Sequence, residues 1–203
     1  MGWKEYKITT AEGKTETHRI EMPPKKEEMK SFQVTQEHWA SALQYYREHR
    51  DDLIKAAVFS RKNAISHRNP PFKVGCAVLG IEPDLPGGNY GVYQSYNFKP
   101  FNVPVAGDDK RCAERNALNL ARRSAKVVAA IVTVSKETST GDTTKAHDAL
   151  HPCRECRDLF RALLDEGFLR EDTMICNAND GDGELKVEER TLRELLDLYA
   201  DYR

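Results

Sequence analysis

Two short cysteine-bearing stretches constrain this chain more than any other feature: Cys112-Ala113-Glu114-Arg115 and Pro152-Cys153-Arg154-Glu155-Cys156. Cys153 and Cys156 have the spacing of a zinc-binding pair. The run after them is apolar at Leu159, Phe160, Leu163 and Leu164, the stripe of a helix lying on a core. The pair therefore belongs to the first turn of a helix, with both sulfurs on nearly the same face. Ala113, Ala117, Leu120 and Ala121 form a second helical stripe and place Cys112 at another helix N-terminus. Each helix start offers unpaired N–H groups and a partial positive charge, which favour thiolate over thiol.

Three protein ligands on zinc leave a fourth position for water and lower its pKa toward neutrality. Three thiolates outweigh the charge of the metal, so the helix starts and a nearby cation are needed to restore its acidity. Arg115 is the first candidate for that charge-tuning cation and Arg157 the second. Glu114, two residues from a ligand, is placed to carry protons as the catalytic acid and base. The competing reading is a closed structural zinc with His151, His147 or Cys176 as fourth ligand, which has no use for Glu114. His151 is read instead as a loop residue beside the site, and Cys76 and Cys176 as core residues within strands.

A chain of 203 residues is long enough for one domain with a full core plus an extension. Its formal net charge of −1 provides no footprint for duplex nucleic acid. No apolar run approaches membrane-spanning length, and the N-terminus lacks the apolar core of a signal peptide, so a cytoplasmic protein is expected. The five cysteines are odd in number and three have metal-type placement, which argues against a disulfide framework.

Residues 1–34 read as a polar N-terminal extension, with a strand over Thr15 to Ile20 paired back across Glu12-Gly13 and a linker over Pro23 to Glu28. Residues 35–203 read as the catalytic domain. Thr35 caps a helix to about Arg50 with Trp39, Leu43 and Tyr46 inward. Asp51-Asp52 caps a second, well-buried helix that stops at Asn69-Pro70-Pro71. Phe72 to Ile81 and Tyr90 to Asn97 form a hairpin. Val127 to Val134 is a strand covered on both faces. Gly167 ends the second thiol helix, Thr173 to Cys176 is a strand, and Asp180-Gly181-Asp182-Gly183 is a turn rather than a calcium loop. Leu192, Leu195, Leu196 and Tyr199 line a last helix. This order suggests an α/β fold, a mixed sheet with helices on both faces.

Cys112-Ala113-Glu114 followed by Pro152-Cys153-Arg154-Glu155-Cys156 resembles the signature of the zinc deaminases of nucleobases and nucleosides. Asp52 to Ala57 leading to Pro71 through Val78 resembles the first helix and strand of cytidine deaminases, and Cys112 to Arg115, Pro152 to Arg157 and Leu192 to Leu196 extend the likeness over roughly residues 50 to 200. A cysteine at position 112 points to the free-nucleoside and blasticidin branches. The resemblance implies a three-layer α-β-α fold with about five strands in the mixed sheet and a homo-oligomer, dimer or tetramer. It implies zinc on Cys112, Cys153 and Cys156, and hydrolysis of cytidine or 2'-deoxycytidine to uridine or deoxyuridine with release of ammonia. Glu114 would then pass protons to N3 and to the departing ammonia. The Ala113 N–H and the His151 carbonyl would hold the pyrimidine edge, with Phe72 against the ring. The family grips ribose with Asn-x-Glu; this chain offers Asn97-Phe98-Lys99 or Asn102-Val103-Pro104, neither with the glutamate. Asn97 is the substrate-binding candidate there, and Lys99 would suit a phosphate. The rival readings are the same chemistry on a cytidine nucleotide, a blasticidin-like nucleoside or single-stranded nucleic acid, and a non-catalytic zinc-stabilised binding module.

Overall fold

A strand buried at every position must be covered on both faces, and two runs of this chain are of that kind, Val74–Ile81 and Val127–Ser135. They lie side by side in a computed structural model of the chain, which describes residues 3–9, 15–21, 33–66, 71–83, 90–99, 111–138, 147–181 and 183–200. The chain divides into two compact units, 1–33 and 34–203. In the first, β1 (Trp3–Thr9) pairs antiparallel with β2 (Thr15–Glu21), from Trp3 opposite Glu21 to Thr9 opposite Thr15. The turn expected at Glu12-Gly13 and the linker expected over Pro23 to Glu28 lie outside the described residues.

The second unit runs α1 (Gln36–Arg61), β3 (Ile65–Ser66), β4 (Val74–Ile81), β5 (Tyr90–Tyr96), β6 (Phe98–Lys99), α2 (Ala113–Ala121), β7 (Val127–Ser135), α3 (Arg154–Asp165), β8 (Met174–Asn179), β9 (Lys186–Thr191) and α4 (Leu192–Leu198). A five-stranded sheet has the order β5-β4-β7-β8-β9. Only β7 and β8 pair in parallel, and the other neighbours are antiparallel, so the sheet is mixed. The short strands β3 and β6 pair in parallel beside it.

The alternation of side chains along β4 separates the two helical layers. Gly75 faces α1: a Cβ there would lie 2.0 Å from the Ala57 carbonyl oxygen, so only glycine lets the helix backbone approach this closely. Val74, Cys76 and Val78 face the other way, into one apolar cluster with Ala113, Ala117 and Leu118 of α2, Phe160 and Leu163 of α3, and Leu192 and Leu195 of α4. The result is three layers, with α1 on one face and the helices that carry the thiols on the other. Gly167, at φ 73°, ends α3: its N–H donates to the Leu164 carbonyl and the Phe168 N–H to the Leu163 carbonyl, closing the last turn as expected.

The structure bears out the break between the first helices and moves the end of the second. His49, with non-helical φ −117° and ψ 16°, kinks α1 into two helical segments, close to the two expected. Just after the kink, Asp52 pairs with Lys55 at 2.8 Å. The helix ends at Arg61, well before Asn69-Pro70-Pro71, and strand β3 follows. Its apolar surface is only partly covered: Leu53, Ile54 and Ala57 are buried, whereas Phe59 is 63% exposed. On the first half Ala42, not Leu43, is the inward residue beside Trp39 and Tyr46. Strand β9 was not expected at all. Its residues Glu188 and Glu189 point to opposite faces and each finds a partner there: Glu189 meets Tyr46 and Arg50 of α1, and Glu188 meets His151.

Candidate metal centre

Cys112 and Cys153 occupy equivalent places, each the N-cap residue of its helix with an extended backbone (φ −70°, ψ 152° and φ −66°, ψ 168°). Neither sulfur caps its own helix. Both are therefore available to a third party, and they meet at 3.6 Å. Cys156, in the first turn of α3, completes a trio whose sulfurs all lie within 4.8 Å of one another. Zinc–sulfur bonds of about 2.3 Å in tetrahedral geometry separate ligand sulfurs by about 3.8 Å, so the three thiols fit a metal ion without rearrangement of the backbone. Cys76 and Cys176 are fully buried inside β4 and β8 and stand apart from the trio. Within the trio, hydrogen bonds from Cys112 and then Cys156 lower the pKa of the Cys153 thiol.

Glu114 lies in the first turn of α2 and is only 4% exposed. Burial, with the charge of Cys153 adding to it, pushes its carboxyl up to about 7. A carboxyl poised there is suited to taking and returning a proton near neutral pH. The Lys99 ammonium acts on it in the opposite sense and also favours the Cys153 thiolate. Lys99 thus carries positive charge close to the trio, and its Nζ sits 5.4 Å from the centre of the Phe72 ring. Arg115, the residue expected in that role, is half-buried on α2 and has no recorded ion pair among the described residues. Arg157 is nearer to the expectation of a buried cation: it is 1% exposed, donates to the Pro152 carbonyl at 2.8 Å, and lies over the Tyr199 ring.

The remaining expected residues are held in different ways. Ala113 is buried at the start of α2, where the N–H groups have no partner within the helix. Phe72 is buried in the same apolar cluster as Cys112 and Ala113. Asn97 is 1% exposed, and its amide is committed to the backbone: Oδ1 accepts from the Val74 N–H at 2.7 Å and Nδ2 donates to the Phe72 carbonyl at 3.0 Å. It fixes the segment bearing Phe72 rather than offering its amide outward. Asn102 lies outside the described residues.

His151 is buried, and its ring is held from both sides, Nε2 at 2.9 Å from Glu188 and Nδ1 at 2.9 Å from the Tyr199 hydroxyl. Burial lowers its pKa, which favours the neutral ring. Glu188 and Tyr199 had no signal in the sequence. Both reach the site across long sequence separations, from a strand whose polar pattern gave no hint of pairing and from the end of α4.

No family model and no curated protein matches the chain. Among solved structures, the chain is similar to the 1.6 Å crystal structure of cytidine deaminase from Burkholderia pseudomallei, with a TM-score of 0.50 and 23% sequence identity over 71% of this chain and 94% of that one. The fold is cytidine deaminase-like. The mixed sheet with helices on both faces, which the order of elements suggested, is the architecture found. Among the described residues no helix is long and apolar enough to cross a membrane.

Proposed function

We propose that the chain is a zinc-dependent hydrolytic deaminase that converts cytidine or 2'-deoxycytidine to the corresponding uridine with release of ammonia. The observation that carries this reading is a buried carboxyl, Glu114, held near neutrality two residues from Cys112 and interacting with Cys153 and Cys156, within a cytidine deaminase-like fold. Cys112, Cys153 and Cys156 would hold zinc, which supplies an activated water at its open position. A structural zinc needs no such carboxyl beside it.

The residues of the chain then divide the work. Glu114 takes a proton from the water that adds to C4 and delivers it to N3. It next moves a proton to the amino group, and the C4–N bond breaks with ammonia as the leaving group, which leaves a carbonyl at C4. The Ala113 N–H and the His151 carbonyl recognise the pyrimidine edge, and Phe72 packs on the ring. Asn97 serves by locking Phe72 and Val74, not by touching the sugar. Lys99 favours a second reading of the substrate: its ammonium lies beside Phe72 where the ribose-binding glutamate of the family is missing, and suits a phosphorylated cytidine.

Ammonia release measured over cytosine, cytidine, cytidine monophosphate and a cytosine oligonucleotide tests both readings. Turnover of cytidine with little response to Lys99→Ala supports the free nucleoside. Preferred turnover of the monophosphate, weakened by Lys99→Ala and by salt, supports the second. No ammonia from any of the four compounds would overturn the proposal.

A further inference from the structure

Outside the three thiols, the described residues bring together one more cluster of metal-type side chains, His147, His151 and Glu188. Their bonds form an unbroken series. Glu188 Oε2 lies 2.9 Å from His151 Nε2, His151 Nδ1 lies 2.9 Å from the Tyr199 hydroxyl, and that hydroxyl lies 2.9 Å from His147 Nε2. A carboxylate only accepts, so His151 Nε2 carries the hydrogen. The Tyr199 hydroxyl lies between the two imidazoles and can donate to one while accepting from the other. The three ring nitrogens that make these bonds are all engaged. The two imidazoles also stack, with centroids 3.7 Å apart.

This series is anchored to the backbone that leads into α3. Glu188 Oε1 accepts from the Asp148 N–H at 2.7 Å and the Ala149 N–H at 3.2 Å, and Arg190 donates to Oε2 at 2.9 Å. Arg157 donates to the Pro152 carbonyl and lies 4.1 Å over the Tyr199 ring, so the same tyrosine is gripped by its hydroxyl and by its face. From His147 to Pro152 the segment has partners on β9, α3 and the end of α4, and Cys153 comes next. Cys153 is reached through the irregular segment 147–152, and its sulfur meets that of Cys112.

We propose that Glu188, His151, Tyr199 and His147 form a positioning network that sets the 147–153 segment, and with it the Cys153 sulfur, before metal binds. The proposal rests on reading Cys112, Cys153 and Cys156 as the metal ligands. Its physical content is preorganisation: a ligand held in place by neighbouring hydrogen bonds binds tighter and releases more slowly than one on a free loop.

Two substitutions break the network without removing bulk. Tyr199→Phe deletes only the hydroxyl and keeps the stack with Arg157. Glu188→Gln turns an amide donor toward donors. Thr191→Ala serves as a control, since it removes a cap from α4 without touching the series. Amide hydrogen exchange across 147–153 is measured in the metal-free full chain, and the rate of zinc release to a chelator in the loaded one.

Tyr199→Phe and Glu188→Gln should each raise both rates at least about tenfold, and the double variant should exceed the larger single effect little, because one series is broken either way. Thr191→Ala should lower Tm and leave both rates unchanged. Unchanged exchange in both variants, or release that merely follows Tm in all three, would overturn the proposal. So would a second metal ion per chain that disappears in Glu188→Gln, since the cluster would then be a metal site. A wild-type chain with no affinity for zinc would refute the ligand assignment, and the exchange comparison in the metal-free protein would still decide the network.

Discussion

Glu188 and Glu189 are adjacent in sequence and serve opposite faces of one strand, Glu189 toward Tyr46 and Arg50 and Glu188 toward His151. Burial alone would raise the Glu188 carboxyl, but the hydrogen bond from His151 and those from the Asp148 and Ala149 N–H groups outweigh it and hold the pKa below its ordinary 4.5. A depressed carboxylate contributes stability that is present above its unfolded value and lost as pH falls through its folded value. The stability deficit of Glu188→Gln, followed by chemical denaturation, should therefore be full at neutral pH and shrink as pH drops below about 4.5. A deficit that grows on acidification would contradict this bonding. At this scale the convergence of the three thiols was legible, because metal-pair spacing and helix starts are local properties. Glu188, Tyr199 and the true bonding of Asn97 were not, since each is defined by partners distant in sequence or by backbone groups that carry no residue signal.

At the scale of elements, the two helices that bring the thiols together begin and end by simple rules. Both start at a cysteine that leaves its helix uncapped and its sulfur available, and α3 ends at a glycine with φ 73°. A Cβ on Gly167 would meet nothing within 4 Å, so its replacement tests the backbone conformation alone. Gly167→Ala should cost about 1 kcal/mol, read as a lower denaturant midpoint with unchanged slope. A neutral effect would mean that the turn relaxes. Strands β4, β5 and β7 were legible from their apolar runs and turn residues. Strand β9 was not: an edge strand with lysine, arginine and two glutamates shows no alternation, because both of its faces meet polar partners. The division of α1 into two segments was legible, since the kink at His49 lies next to Asp51-Asp52, which has the chemistry of a helix start.

Across the whole molecule, α2 and α3 approach one another at their N-termini, each with its own attachment to the sheet, and the trio joins these two starts. Metal on the trio should therefore stabilise the folded unit. A metal ion at a thousandfold excess over its dissociation constant contributes about 4 kcal/mol, roughly 10 °C in Tm for a unit of this size. Chelation should lower Tm by that order and zinc should restore it, followed by calorimetry. Identical Tm values with and without metal would dissociate the trio from folding. The architecture at this scale was legible from the order of elements. Sequence alone was less informative around Lys99, whose adjoining residues 100–110 lie outside the described residues.

In the proposed reaction Glu114 moves protons beside a metal held by Cys112, Cys153 and Cys156. Glu114→Gln keeps size and shape and removes only the titratable group. Zinc content and the rate of ammonia release from cytidine should be measured side by side in the variant and the wild type. Zinc should remain at about one per chain while the rate falls at least about a hundredfold. A variant that retains zinc and deaminates at the wild-type rate would show that the carboxyl is structural, and the account of the site would fail.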